Sequence, residues 1–140
     1  MNIQVVDSSV AAKWVFEEVH TDKAFRLLDE GSGLHAPDLF LVETDNIVCK
    51  RVRRNQIDAD EGQRIRAALR EFPVRKHTSM PLLDEAYLIA IKTGRSIYDC
   101  LYLALAELLH KQMVTADRRL YDALKPGPFA QHIKWIEDIK

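Results

Sequence analysis

The sequence is poor in cysteine and contains no long apolar run. Its 140 residues include two cysteines, Cys49 and Cys100, which are too few and too far apart for a disulfide framework or a Cys-x-x-Cys zinc site. We therefore expect both to be small buried side chains. No apolar stretch approaches membrane-spanning length, and the N-terminus lacks the basic region and cleavage site of a signal peptide. These absences predict a cytoplasmic protein that does not bind membranes.

The sequence also lacks an excess of charge of either sign, which excludes a histone-like basic surface. It has 20 basic and 21 acidic residues, for a formal net charge of -1. The charge is unevenly distributed: residues 1–49 contain nine acids and three bases, whereas residues 50–76 contain four acids and nine bases. Five arginines of this basic part could form a surface for RNA phosphates: Arg51, Arg54, Arg64, Arg66 and Arg70. The alternative is a solvated helix face paired with nearby acids, Asp58, Asp60 and Glu61.

Strand-like and helix-like patterns alternate along the chain. Five short runs predict strands, at about residues 3–7, 34–36, 74–78, 112–116 and 132–136. Helical periodicity predicts helices at about residues 38–53, 59–71, 83–93, 96–110 and 117–124, with Pro37 in the first turn of one and another helix running through Ala11, Val15 and Val19. This alternation predicts one α/β domain over residues 1–140, a three-layer α/β/α sandwich around a mostly parallel sheet.

Four acidic residues occupy positions that such a sheet could bring together. Asp7 and Asp117 end predicted strands, Asp99 begins a helix, and Glu43 lies within another. Ligands of parallel sheets collect beyond the carboxyl ends of the strands, so the four carboxylates could converge on one cleft. Each also has a simpler explanation: Asp7 and Asp117 as helix caps, Asp99 as half of a capping box with Ser96, and Glu43 as a solvated side chain.

The residues around these acids form four segments with a recognisable order. They are Val5-Val6-Asp7-Ser8-Ser9, Ala36-Pro37-Asp38-Leu39-Phe40-Leu41-Val42-Glu43-Thr44-Asp45-Asn46, Tyr98-Asp99-Cys100-Leu101-Tyr102-Leu103-Ala104-Leu105-Ala106, and Val114-Thr115-Ala116-Asp117. In this order they resemble the PIN domain family, and especially its VapC-like toxin ribonucleases.

The resemblance implies a PIN-like fold and a Mg²⁺-dependent endoribonuclease, with Mn²⁺ as a possible substitute. It makes the four acids, Asp7, Glu43, Asp99 and Asp117, both catalytic residues and metal ligands. Residue chemistry agrees, because Mg²⁺ selects oxygen ligands and supplies the charge relief and activated water that phosphodiester hydrolysis needs. Three further residues, Ser9, Asn46 and Thr115, could orient water or a phosphate oxygen.

The chain departs from the family pattern at Asp45 and Cys100. Asp45 stands where the family usually has a small or apolar residue. Two residues along a helix correspond to a rotation of about 200°, so we expect Asp45 to point away from Glu43, whereas Asn46 shares the face of Glu43. Cys100 directly follows Asp99, and we expect it to be a small buried side chain without a redox role.

The resemblance also implies the toxin of a toxin–antitoxin pair, with RNA as substrate, a cognate antitoxin as partner and a homodimer as the assembly. Two alternatives stay open. One is a catalytically silent PIN-like module that binds RNA or protein. The other is an aspartate-based phosphatase, which is disfavoured because Ser9 stands where such enzymes carry a second Asp. A Ser–His mechanism is not predicted, since no histidine accompanies a nucleophilic Ser or Cys at a predicted strand end.

Overall fold

A five-stranded, fully parallel sheet forms the centre of the protein in the computed structural model, which describes residues 2–29 and 32–140. The strands are β1 (Asn2–Val6), β2 (Ser32–Pro37), β3 (Val74–His77), β4 (Met113–Thr115) and β5 (Ile133–Trp135). Their order across the sheet is β3-β2-β1-β4-β5, so β1 lies in the middle with β4 beside it. All five predicted strands are present.

Seven α-helices in the described part of the chain connect these strands. They are α1 (Ser8–Ala11), α2 (Thr21–Arg26), α3 (Leu39–Arg53), α4 (Ala59–Glu71), α5 (Leu83–Thr93), α6 (Ile97–Leu109) and α7 (Arg118–Leu124). The connections from β1 to β3 and from β3 to β5 run in opposite directions across the sheet. Since parallel crossovers are right-handed, α1 to α4 cover one face and α5 to α7 the other, and the α/β/α sandwich is confirmed. Within the described ranges, none of these helices combines the length and the apolar character needed to span a bilayer.

The core forms around β1 and α6. Val5 and Val6 of β1 are completely buried, as are the strand residues Met113 and Val114 of β4. Helix α6 packs on β1, β2 and β4 and is buried without interruption from Cys100 to Ala106. Local sequence sets the boundary between α5 and α6. Gly94, at φ +70°, ends α5 in the left-handed region that glycine adopts without strain, and Ser96 caps the first turn of α6.

Two local predictions near the first helices were wrong. The predicted helix through Val19 stops early, and Val19 is 72% exposed. The chain folds back instead, because the indole Nε1 of Trp14 donates a hydrogen bond to the carbonyl of Ala24 in α2 at 2.8 Å. Pro37 ends β2 in register with His77 of β3 rather than opening a helix. A proline fits the end of a strand, where its missing N–H costs no ladder bond.

The two cysteines have different environments. Cys100 is completely buried in α6, as predicted. The same prediction for Cys49 was wrong, since this side chain is exposed along a groove between α3 and α4. At this turn of α3 the inward position belongs to Val48, which is 1% exposed, and the next residue along the helix faces outward.

Helices α3 and α4 are held together by a close approach and a charged clamp. Gly62 allows the approach, because a Cβ atom there would lie 3.1 Å from Cγ2 of Val52. The clamp consists of Asp45 on α3, which accepts hydrogen bonds from Arg66 at 2.7 Å and Arg70 at 3.1 Å on α4. The bond from Arg66, followed by that from Arg70, lowers the pKa of Asp45 to about 2. Asp45 therefore faces α4.

Replacing Asp45 by Asn should destabilise the protein at neutral pH and have no effect in strong acid. The depressed pKa of Asp45 means that its contribution is fully present above about pH 4 and is lost as the pH falls through about 2. For a partly exposed ion pair we expect a loss of about 0.5 to 1 kcal/mol at pH 7. Urea unfolding of wild type and variant at pH 7 and pH 2 measures the difference. Asp138→Asn, at an exposed position far from the clamp, is the control, and a pH-independent difference would contradict the assignment.

Candidate active site

Asp7 is a buried carboxylate at the carboxyl end of the middle strand. It caps α1 by accepting the backbone N–H of Val10 at 3.2 Å, and it also accepts hydrogen bonds from the hydroxyl groups of Ser9 and, at 2.6 Å, Thr115. Burial disfavours the charged form and raises the pKa of Asp7 to about 6, although these three hydrogen bonds act against the increase. The chain thus holds an acid where ionisation is costly.

Glu43 reaches the same region from the second turn of α3. The hydroxyl of Tyr102 on α6 donates to its Oε1 at 2.6 Å, and Ser8 Oγ lies 3.5 Å from the same oxygen. Burial raises the pKa of Glu43, which the bond from Tyr102 opposes and the charge of Asp99 reinforces. Glu43 is therefore a fixed, partly buried side chain rather than a solvated one.

Asp99 and Asp117 complete the arrangement from the first turn of α6 and the end of β4. The backbone N–H of Asp99 donates to Ser96 Oγ at 3.2 Å, and Asp117 caps α7 by accepting the N–H of Leu120 at 3.2 Å. Burial, followed by the charge of Asp117, raises the pKa of Asp99. The capping role expected for Asp117 is present, whereas α6 is capped by the hydroxyl of Ser96 rather than by the carboxylate of Asp99. The charge of Asp117 acts on Asp99 in addition to these contacts.

The four acids form one electrostatically coupled cluster with a floor and a mouth. The negative charge of Asp99 contributes to the raised pKa of both Asp7 and Glu43, and Asp99 itself responds to Asp117. Asp7 is buried at the floor, Glu43 and Asp99 are partly buried, and Asp117 is exposed. Asp7 and Asp117 follow β1 and β4, and Glu43 and Asp99 lie on α3 and α6, in the elements that the sequence pattern predicted. Their role in metal binding and catalysis stays a prediction.

The cluster offers only oxygen donors, which suits a hydrated hard cation. Among the described residues, no three His, Cys, Asp or Glu side chains are close enough together to enclose a metal ion. Mg²⁺ does not require such an enclosure, because it commonly binds one or two carboxylates and keeps several waters. The carboxyl groups with raised pKa values, Asp7, Glu43 and Asp99, would also be relieved of repulsion by a cation. The donor set therefore fits Mg²⁺ or Mn²⁺.

Comparison with known proteins gives a family for this arrangement. The model of the PIN domain family matches residues 5–125, a span that includes all four acids. The chain belongs to the PIN domain family. The resemblance inferred from the four sequence segments is confirmed.

This PIN domain is similar to curated and structurally characterised proteins over most of its length. Ribonuclease VapC3 of Pyrobaculum aerophilum is 33% identical over 118 residues, covering 83% of this chain and 90% of the relative. The crystal structure of PAE2754 from the same organism matches with a TM-score of 0.71 and 26% identity, covering 97% of this chain and 85% of the other. A toxin–antitoxin complex from Klebsiella pneumoniae shares the fold at 12% identity, with a TM-score of 0.62 and coverage of 94% and 95%.

Ser9 and Thr115, two hydroxyl residues predicted to support the site, connect the segments that follow β1 and β4. Ser9 donates to Asp7 and accepts the N–H of Ala116 at 3.1 Å, while Thr115 donates to Asp7 and accepts the N–H of Asp117 at 3.0 Å. The third predicted residue, Asn46, is exposed one helical turn beyond Glu43 and makes no side-chain hydrogen bond within the described residues. Its role stays a prediction.

Sequence reasoning missed the role of Tyr102, which is 1% exposed and holds Glu43. Burial and the adjacent carboxylate raise the pKa of its phenol, so it is a permanent hydrogen-bond donor. The sequence does contain one indication that Tyr102 lies at the site. Tyr102 follows Asp99 by three residues on α6, so the two side chains share one face of the helix. Spacing alone could not show that this face looks toward Glu43 on α3.

The five arginines proposed for RNA phosphates lie mainly in ion pairs. Arg51 pairs with Glu18 at 2.7 Å, and Arg66 and Arg70 are held by Asp45. Arg54 and Arg64 have no carboxylate partner among the described residues. Helix α3 also runs away from the cluster, placing Arg51 about 12 Å along its axis from Glu43. An RNA-binding role for the five arginines stays a prediction.

The histidines do not form a Ser–His pair within the described residues. Two of them contact each other, His35 Nδ1 and His77 Nε2 being 2.8 Å apart at the end of the sheet formed by β2 and β3. Burial, followed by the neighbouring positive groups, lowers the pKa of both. Hydrogen bonds of the described chain connect no histidine to a Ser or Cys side chain, in agreement with the carboxylate-based interpretation.

Replacing Tyr102 by Phe should raise the pKa of Glu43 further and leave the fold intact. The hydrogen bond from Tyr102 opposes the effect of burial, so its loss favours the protonated acid. We also expect a stability loss of about 1 kcal/mol for a deleted buried hydrogen bond. Carboxyl NMR of Glu43 as a function of pH measures the first effect and urea unfolding the second. Tyr98→Phe, at an exposed neighbouring tyrosine, is the control, and an unchanged Glu43 titration would contradict the contact.

Proposed function

We propose that this PIN domain is a Mg²⁺-dependent endoribonuclease of the VapC type and the toxin of a toxin–antitoxin pair. The observation that carries the proposal is the coupled cluster of four carboxylates at the carboxyl end of a parallel sheet. Repulsion within a cluster of carboxylates destabilises the fold unless a bound cation offsets it. A purely structural role therefore explains the cluster poorly. Similarity to Ribonuclease VapC3 over 83% of the chain supports RNA as the substrate class.

The chain's own residues place the carboxylates before cation and RNA arrive. The cluster of Asp7, Glu43, Asp99 and Asp117 would hold the cation, partly through waters that the cation keeps, and the cation would supply activated water and charge neutralisation at the phosphoryl oxygens. Ser9 on α1 and Thr115 at the end of β4 fix Asp7, and Tyr102 fixes Glu43 from α6. This preorganisation removes the need to reorient the acids during the reaction.

Binding of Mg²⁺ should raise the melting temperature of the wild-type protein. A ligand that binds only the folded state stabilises it in proportion to the logarithm of its concentration. We expect a rise of a few degrees at millimolar Mg²⁺ over EDTA, and about half or less of this rise in Asp99→Asn, which loses one charge of the cluster. Calorimetry with Mg²⁺, Mn²⁺ and EDTA measures the effect. Equal shifts in wild type and variant would place the cation elsewhere.

Asp99→Asn should lower RNA cleavage by at least about a hundredfold while the protein remains folded. The substitution keeps the size and hydrogen-bonding capacity of the side chain beside Ser96 and removes only its charge. Single-turnover cleavage of a 5′-labelled RNA pool with Mg²⁺, and then with EDTA, measures the rate. Internal fragments identify endonucleolytic cleavage. Asp60→Asn on the exposed start of α4 is the matched control, and wild-type rates in Asp99→Asn would refute the assignment.

The alternative is a silent module that binds RNA without cutting it. The same experiment separates the two functions, since a silent module would bind the RNA pool and return it intact with Mg²⁺ or Mn²⁺. The aspartate-based phosphatase is disfavoured by the segment that follows β1. There, Ser9 occupies the position two residues after Asp7 and donates a hydrogen bond to it.

An antitoxin partner follows from the same proposal. The structural neighbour from Klebsiella pneumoniae is a toxin–antitoxin complex, and the fold is shared over 94% of this chain. Apolar side chains flank the mouth of the cluster and could be covered by such a partner: Val42, beside Glu43, is 66% exposed, and Tyr98, beside Asp99, is 56% exposed. Co-expression with the adjacent gene product and co-purification test this partner.

A homodimer is the proposed assembly, with α5 as its interface. Leu83, Tyr87 and Ile91 recur every four residues along α5 and form an exposed apolar stripe. Leu88 and Leu108 extend this stripe toward α6, and both are more than half exposed. A contiguous apolar patch of this kind is typical of a protein–protein interface.

Ile91→Glu should convert the dimer to a monomer without unfolding it. Ile91 is 69% exposed, so the charge costs little in the monomer but would be buried in the dimer. Sedimentation or light scattering over a concentration series measures the change. Val19→Glu, at an equally exposed apolar residue outside α5, is the control. A wild-type protein that stays monomeric at high concentration would refute the interface.

A further inference from the structure

A surface with aromatic and cationic side chains lies directly beside the exposed end of the carboxylate cluster. We call it the α7 surface. It consists of three residues of α7, the residue that follows this helix, one residue of the loop before α6 and the last residue of β5: Arg118, Arg119, Tyr121, Lys125, Arg95 and Trp135. None of these residues belongs to the four acids or to the basic segment formed by α3 and α4.

Two connections fix the α7 surface relative to the site. Asp117 caps α7, so Arg118 and Arg119 directly follow the exposed acid at the mouth of the cluster. Trp135 is in register with Thr115, which donates to Asp7. The surface and the cluster therefore share the same end of the sheet.

Arg95 connects Asp99, a partly buried acid of the cluster, to the same surface. Its Nη1 lies 3.5 Å from the backbone carbonyl of Arg119, and its positive charge weakly opposes the rise in the pKa of Asp99 that burial causes. The loop that precedes α6 thus meets the start of α7 at the mouth of the cluster. A chain bound to α7 would pass Asp99 and Asp117 first.

The aromatic rings and cations of this surface are stacked on one another. The guanidinium of Arg118 lies 5.0 Å above the ring of Trp135, and the rings of Tyr121 and Trp135 are 5.8 Å apart. Lys125 Nζ lies 5.5 Å above the ring of Tyr121. Such contacts hold cations in place and leave their outer sides available to a ligand. The side chain of Arg118, for example, remains 57% exposed despite its contact with Trp135.

The positive charge of the surface is only partly neutralised. Arg118 and Lys125 share the single carboxylate of Asp122, at 3.2 and 3.3 Å. Arg95 and Arg119 have no carboxylate partner in the described part of the chain. The surface therefore offers excess positive charge next to the cluster of acids. Without these cations, the negative charge of the cluster would repel a polyanion.

We infer that the α7 surface binds single-stranded RNA and guides it into the carboxylate cluster. Nonspecific binding of single strands combines cations that follow the phosphates with aromatic or guanidinium planes on which bases stack. Both elements are present here within one helix and one neighbouring strand. The inference rests on the proposed nuclease function and adds the path by which the substrate reaches it.

The first test compares the removal of equal charge from two places. Arg118→Gln combined with Arg119→Gln removes two cations of the α7 surface. The control, Arg26→Gln combined with Lys111→Gln, removes two exposed cations near Asn2, where β1 begins, at the opposite edge of the sheet. Binding of a fluorescent 12-nucleotide RNA is measured in EDTA, which prevents metal-dependent cleavage, over a salt series. We expect the α7 pair to weaken binding about tenfold and to flatten the salt slope by about 1.4, while the control pair changes binding less than about twofold. Equal effects of the two pairs, or no effect of the α7 pair, would overturn the inference.

The second test uses the two tryptophans. Trp14 is buried in the core, 5% exposed, whereas Trp135 lies on the α7 surface. RNA should quench part of the wild-type tryptophan emission, and Trp135→Phe, which keeps an aromatic ring in place, should abolish the quenching. Quenching that persists in Trp135→Phe, or is absent in the wild type, would overturn a base-stacking surface.

Two outcomes separate this inference from other possibilities. A wild type that binds RNA through the α7 surface but does not cleave it with Mg²⁺ would refute the proposed function and support the inference. Poly-L-glutamate, an anionic polymer without bases, is the second probe. Binding of poly-L-glutamate with an affinity equal to that for RNA would overturn the inference in favour of an acidic protein partner.

Discussion

The hydrogen bond from Thr115 to the buried carboxylate of Asp7 is the contact on which the rest of the site depends. It joins residues 108 positions apart in the sequence and connects the ends of adjacent parallel strands, β1 and β4. Ser9 completes the connection by donating to Asp7 and accepting a backbone N–H from the loop after β4. The positions of Asp117, and through it of α7, follow from this junction.

Two carboxylates on α3 have opposite effects on the free energy of folding. Glu43 belongs to the cluster, whose charges destabilise the protein, whereas Asp45 stabilises it. Glu43 and Asp45 are two residues apart on α3, yet burial raises the pKa of Glu43 and the arginines of α4 lower that of Asp45. The helix therefore carries one acid whose ionisation is disfavoured and one whose ionisation is favoured, on different faces. Groups held in an unfavourable ionisation state are typical of functional sites, and interactions elsewhere in the fold must offset their cost.

Local pattern predicted most of the elements and the positions of the four acids within them, because strands, helix caps and the order of the motifs depend on neighbouring residues. The catalytic role of the four acids stays a prediction. Gly94 and Ser96 mark helix ends in the sequence as they do in the structure. Features that depend on distant contacts were not predictable: the bond from Tyr102 to Glu43 and the clamp between Asp45 and the arginines of α4 require knowledge of which helix faces meet. The wrong predictions have the same origin. The reversal after Trp14 and the exposure of Cys49 depend on packing partners far along the chain or on a neighbouring helix.

The placement of β1 between β2 and β4 has a consequence for the order of events during synthesis. β1 is made before both of its neighbours and gains the second one only when β4 emerges from the ribosome. Contacts between such distant segments form slowly, because a long loop must close before they are made. Asp7 and Glu43 are in the nascent chain long before Asp117 can join them. The nascent chain therefore cannot assemble its four carboxylates until β4 and Asp117 have left the ribosome.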